Sequence, residues 1–142
     1  MAQATQAQAS SGRGLAGGLG RRRPAAMALK YALGLNALLD FSFAIPGFGA
    51  KQFGEIFKKS GKPSEDMVQT LVWSFLLHGA VRGHAALDPQ DTASARLALV
   101  SYAVEMCYFG LRIRAGRCAF KDAAATIAIP AFMISWLLLA RR

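Results

Sequence analysis

From residue 25 onward the sequence is built on four apolar runs, Ala25–Ile45, Met67–Leu87, Ser94–Ile113 and Ala123–Ala140. Each is about 20 residues, the length at which a helix rising about 1.5 Å per residue crosses a hydrocarbon core of about 30 Å. Three of them enclose ionisable groups: Asp40 in the first, His78 and Arg82 in the second, Glu105 in the third. A helix of a soluble domain keeps its apolar residues on one face, whereas here whole segments are filled. The second run has no polar stripe wide enough to face water along its length, and the fourth carries no charge. The pattern predicts an all-α fold, an integral membrane bundle of four transmembrane helices; a soluble helical bundle is the competing reading.

The chain carries 17 Lys and Arg against 8 Asp and Glu, a net charge of +9. Its basic residues do not form one face with interleaved aromatics, so nucleic acid is not the expected partner. They sit in the tail (Arg13, Arg21–Arg23), after the first run (Lys51, Lys58, Lys59, Lys62), after the third (Arg112, Arg114, Arg117, Lys121) and at the end (Arg141, Arg142). That placement suits topology setting and contact with anionic headgroups. Cys107 and Cys118 have neither C-x-x-C spacing nor an evident mutual partner, and they read as free thiols.

Residues 1–24 contain no acidic side chain and almost no bulky apolar one, so they cannot build a core. They read either as a disordered tail or as an organelle transit peptide, ahead of a four-helix membrane domain over 25–142. Helix one is expected to begin near Pro24 and to stop at Ile45-Pro46-Gly47. In the linker that follows, Phe53, Ile56 and Phe57 fall at helical spacing beside Lys58 and Lys59. This predicts a short amphipathic interfacial segment with its aromatic side in the headgroup boundary, the alternative being a loop packed on the helix ends. Ser64-Glu65-Asp66 supplies a cap and acidic first turn for helix two, and Asp88–Thr92 is a tight polar turn. Helices two and three therefore form an antiparallel hairpin. Pro130 interrupts the hydrogen-bond ladder of helix four. If the tail is removed, the lysines and arginines of the 46–66 and 111–122 loops place those loops on the cytoplasm-equivalent side; if it is kept, Arg21–Arg23 and Arg141–Arg142 oppose that orientation.

An ionisable side chain at membrane depth costs about 2.5 to 3.5 kcal/mol on insertion scales, so each of these groups should face protein, a partner or water. Counting from the 88–93 turn, His78 and Glu105 lie within roughly 3 Å of one level, and Arg82 is offset from Glu105 by roughly 9 Å but carries a long side chain. His78, Arg82 and Glu105 are expected to form an intramembrane polar cluster. Asn36 and Asp40, four apart on helix one, are expected to form a separate polar patch too far from Arg82 to pair, meeting Ser74, Gln69 or another subunit. Trp73, Gly79, Gly83, Phe109 and Trp136 are the expected partner-facing positions, the glycines allowing close helix approach. No catalytic constellation and no metal-ligand spacing is present; His78 and His84 are six apart and do not share a face. The sequence predicts no enzyme and implies no cofactor.

Several of these residues occur in an order that resembles the ergosterol-biosynthesis scaffold family (ergosterol biosynthetic protein 28), small four-helix proteins of the endoplasmic reticulum membrane. Trp73 with Ser74-Phe75-Leu76-Leu77 is similar to the family's Trp-Thr-Leu-Leu stretch, Arg82 with Ala85-Ala86 to its Arg and small residues, and Glu105 with Phe109 to its third-helix Glu followed by Phe. Pro130 and Trp136 fall near similar residues of its fourth helix. Ala103-Val104 stands where the family tends to have His-Phe, and the arginine-rich tail is not typical of it. The resemblance covers about 68–139 and implies a non-enzymatic tether that gathers sterol-modifying enzymes. The expected function is accordingly a membrane scaffold or accessory subunit, in contact with lipid and assembled with other integral membrane proteins as a hetero-oligomer. The alternatives are a supernumerary subunit of a mitochondrial or plastid energy-transducing complex, which the acid-poor tail favours, and a small transporter.

Overall fold

The computed structural model describes residues 16–139. Among them the chain forms α1 (Ala16–Ser42), α2 (Phe48–Ile56), a 3-10 turn (Lys58–Ser60), α3 (Glu65–Leu87), α4 (Thr92–Arg114) and α5 (Ala124–Leu139). Polar side chains set the helix starts. Ser64 Oγ accepts from the Met67 amide at 3.3 Å ahead of Glu65 and Asp66, whose negative charge suits the positive end of the helix dipole. The Asp91 carboxylate accepts from the amides of Ala93 and Ser94 at 3.4 and 2.7 Å. These hydrogen bonds, those with Ser94 foremost, hold its pKa below the usual 3.8. Helix α4 ends in a Schellman turn: Gly116 adopts φ 70°, its amide bonds to the Ile113 carbonyl, and the Arg117 amide reaches the Arg112 carbonyl. The hairpin of α3 and α4 with its 88–92 turn is as the sequence predicts.

Each long helix packs on the next: α1 on α3, α3 on α4, α4 on α5, with α2 lying against α3. The interior is layered along the bundle axis. At the end nearest the 88–92 turn, Leu29, Leu33, Ala85, Ala86, Ala95, Ala98, Met133 and Leu137 form one apolar cluster with Tyr102. At the other end Phe53, Ile56, Phe57, Leu71, Phe75 and Phe109 form a second with Cys118 and Ala123. Between them, in sequence position on α1, α3 and α4, lie the buried Asn36, Asp40, His78, Arg82, Ser101 and Glu105.

Two expectations change. Helix α1 begins at Ala16 and passes through Pro24, so proline does not open it; of the 1–24 tail, residues 1–15 lie outside the described residues, as does Ala140 at the end of the fourth run. The amphipathic segment exists as α2, but its apolar side is turned into the protein. Phe53 stacks on Phe43 at 5.2 Å and tilts against Phe75 at 5.6 Å, Phe57 stacks on Phe109 at 6.1 Å, and the Cys118 thiol donates to the Ile56 carbonyl at 3.2 Å. Aromatic partners and a hydrogen-bonded thiol give these rings closer neighbours than a headgroup boundary offers. Burial raises the Cys118 pKa and keeps that thiol protonated. Cys107 and Cys118 are both free.

The four runs themselves are helical, as the sequence predicts. Among the described residues no helix is long and apolar enough to cross a membrane. The described part of α5, Ala124–Leu139, is apolar and has 16 residues, about 24 Å of helix at about 1.5 Å per residue. The longer helices carry the charges that lower their apolarity: Lys30 and Asp40 in α1, Arg82 in α3, Arg96 and Glu105 in α4.

Candidate functional site

The buried centre is organised by one guanidinium. Arg82 is 1% exposed and every nitrogen of its head has a partner. Nε donates to Ser101 Oγ at 3.1 Å. Nη1 donates to Asn36 Oδ1 at 3.0 Å and to Asp40 Oδ1 and Oδ2 at 3.0 and 2.8 Å. Nη2 donates to Glu105 Oε2. The Tyr102 ring lies under the cation, 3.9 Å from Cζ to the ring centroid. Ser101 Oγ in turn donates to the Ala98 carbonyl at 2.8 Å. Helical spacing explains why so many partners converge. Asn36 and Asp40 are four apart on α1, Ser101 and Glu105 four apart on α4, so each pair presents two oxygens on one face, and Arg82 on α3 stands between the two helices.

The predicted trio is therefore drawn differently. Arg82 and Glu105 pair as expected. His78 does not join them: its ring lies edge-on to Phe75 at 6.2 Å, and its buried Nδ1 has no hydrogen-bond partner. Asn36 and Asp40, expected as a separate patch beyond the reach of Arg82, both accept from its Nη1. Two physical facts account for the correction. Helical side chains lean toward the N-terminus of their helix, so the head of Arg82 sits back at the level of Gly79. Asp40 is at that level, because a Cβ on Gly79 would lie 3.1 Å from Asp40 Cβ. The α1/α3 register is set by the Phe43–Phe75 stack, 4.5 Å between centroids, and a linker partly wound into α2 does not divide evenly between the two helices.

The expected partner-facing residues separate into two kinds. Trp73 is 70% exposed, and Trp136 is half-buried with its edge toward Phe132. Gly79, Gly83 and Phe109 are taken up inside the chain. Gly79 meets Phe41 and Asp40 of α1, Gly83 meets Ala37, and Phe109 belongs to the aromatic cluster. The glycines do permit close approach, but of α1 and α3 to one another. A further tie missed by sequence reasoning is the 3.0 Å contact of His84 Nδ1 with Ser94 Oγ, which closes the hairpin above its turn.

Beside the polar layer a groove of about 450 Å³ runs between α3 and α4, with Leu71, Phe75, Val104 and Phe109 among its walls and His78 and Glu105 lining it as well. Among the described residues no group of three or more His, Cys, Asp or Glu side chains is placed to hold a metal ion. The arrangement can bind three helices together through one shared cation. No family model, no curated protein and no solved structure matches the chain.

Proposed function

We propose that the chain is a membrane-embedded bundle of four transmembrane helices that acts as a non-enzymatic scaffold or accessory subunit, docking other integral membrane proteins. One observation carries this reading: the middle of the bundle is polar inside, while large apolar side chains are exposed along the length of its long helices. Asn36, Asp40, Arg82, Ser101 and Glu105 are buried, while Tyr31, Leu35 and Leu38 of α1, Trp73 and Leu77 of α3, Leu97 and Val100 of α4 and Phe132 of α5 are exposed. Water around such a bundle would leave large apolar side chains wet on every long helix, a face of the kind that marks protein or membrane contact. Lipid or partner helices would cover them without that penalty. The apolar character belongs to the assembled surface, since the polar groups that make each helix a poor span satisfy one another within the bundle.

The scaffold assignment is supported by the resemblance over 68–139, with Trp73, Arg82, Glu105 and Trp136 in the expected order, and that resemblance favours the endoplasmic reticulum membrane as its home. The acid-poor segment 1–24 favours a second home, as an accessory subunit of a mitochondrial or plastid membrane complex. The test is fractionation of cells expressing the full chain, then alkaline carbonate extraction and native electrophoresis in mild detergent. Retention in the pellet and migration with other membrane proteins are expected, and the compartment decides between the two homes. Release by carbonate would overturn the membrane reading. A lone monomer that carries solute or ion flux in liposomes would replace the scaffold with a transporter.

A further inference from the structure

The groove between α3 and α4 combines features that no packing role explains. Its volume, about 450 Å³, falls within the range of small-molecule sites. Leu71, Phe75, Val104 and Phe109 give it apolar walls; Thr70, Ser74, Tyr108 and Arg112 line its more exposed parts, and His78 and Glu105 are its two buried polar side chains. His78 is 8% exposed and its Nδ1 has no hydrogen-bond partner. A buried polar atom left unpaired is destabilising, and native structures retain such atoms where something else supplies the bond. Glu105 bonds to Arg82 through Oε2 only, which leaves Oε1 able to accept. The guanidinium is shared with Asp40, so what Oε1 calls for is a hydrogen-bond donor, which a neutral group supplies.

We propose that this groove binds a lipophilic alcohol, its apolar body along Leu71, Phe75 and Phe109 and its hydroxyl between His78 and Glu105. A hydroxyl can donate to Glu105 Oε1 while it accepts from a protonated His78 Nδ1, or donate to that nitrogen when it is the bare one, so it suits either tautomer. A carbonyl lacks the donor, and a hydrocarbon leaves both groups unpaired. The site needs no protein partner, so it stands or falls separately from the scaffold reading.

The test uses the full chain in lipid nanodiscs and two fluorescent probes, all-trans-retinol and its deoxy hydrocarbon analogue, each titrated against empty nanodiscs. Wild type is expected to bind retinol saturably and about tenfold more tightly than the hydrocarbon, the discrimination one buried hydrogen bond provides. His78→Phe, which keeps an aromatic ring beside Phe75, is expected to abolish that preference while hydrocarbon binding remains. Val104→Trp and Thr70→Trp fill the groove from its exposed margin and are expected to weaken both probes. The preference is a ratio within one preparation, so poor folding of a variant does not imitate its loss. The proposal is overturned by retinol behaving as it does in empty nanodiscs, by equal affinity for the two probes in wild type, by a preference that survives in His78→Phe, or by binding indifferent to both groove-filling variants.

Discussion

At the level of Arg82 the bundle is polar inside and apolar outside, whereas around Phe53 it is apolar inside and carries lysines among the apolar side chains outside. The first region buries Asn36, Asp40, Ser101 and Glu105 about one cation and exposes Leu38, Leu77 and Val100. The second buries Phe53, Phe57, Phe75 and Phe109 and exposes Lys51, Lys58, Lys59, Lys62 and Lys121. The linker end sets lysines beside exposed Ile45, Phe48, Trp73 and Phe120, whereas the middle exposes apolar side chains around a polar interior. A change of surroundings along the bundle axis, from water at the lysines to hydrocarbon beside Leu38, would produce this contrast. The two regions also cohere differently. Ring packing at the linker end is divided among many contacts, while the polar layer depends on one residue that touches three helices.

That dependence gives the largest expected effect. Arg82→Leu leaves Asp40 and Glu105 buried without their cation, and melting of the full chain in mild detergent should show a loss of about 3 to 5 kcal/mol. Replacing Asp40, Arg82 and Glu105 together by leucine should restore most of it, because no unpaired charge remains. A triple variant as unstable as Arg82→Leu would mean that the layer contributes shape and not charge pairing.

The outer face comes next, and it tests the contrast most directly. Leu38→Lys puts a charge on the exposed side of α1 between Asn36 and Asp40. Beside hydrocarbon it should cost about 2.5 kcal/mol, read as reduced membrane insertion. Lys59→Leu at the linker end should insert as wild type. Equal behaviour of the two variants would remove the difference between the regions.

A smaller effect separates the two glycines. At Gly79 a Cβ would come within 3.0 Å of Phe41 and 3.1 Å of Asp40, so Gly79→Ile should destabilise by about 2 kcal/mol through overpacking. At Gly83 the nearest neighbour is Ala37 at 3.6 Å, an ordinary contact, and Gly83→Ala should stabilise by about 0.5 to 1 kcal/mol through helix propensity. The same melting experiment reads both.

The smallest effect lies at the turn, outside both regions. The Asp91 carboxyl is held below 3.8 in the folded chain, so its cap is fully in place above that pH and is lost as the pH falls through the lower folded value. Asp91→Ala should flatten this part of the acid limb of a stability-against-pH curve and leave the neutral region only slightly lowered. An unchanged acid limb would show that the cap does not titrate as described.

Local chemistry made much of the framework legible from sequence. Ser64 and Asp91 mark helix starts because a side-chain oxygen ahead of an apolar run answers orphan amides, and the 88–92 turn follows from its polar residues. Arg82 with Glu105 was readable because a charge within an apolar run needs a partner at its own depth. Asp40 with Arg82 was not, because pairing across α1 and α3 depends on a register set by the Phe43–Phe75 stack and by how the linker winds into α2. His78 shows the same division. Its place on the Arg82 face follows from four-residue spacing, but the packing of Phe75 and the reach of Asn36 and Asp40 decided that it stays outside the network. The sequence by itself determined that the chain is helical, where most of its helices stop and which groups must find partners. Only the tertiary structure decided which partner each one found and which way each apolar face turned, because those choices rest on contacts between residues far apart in the chain.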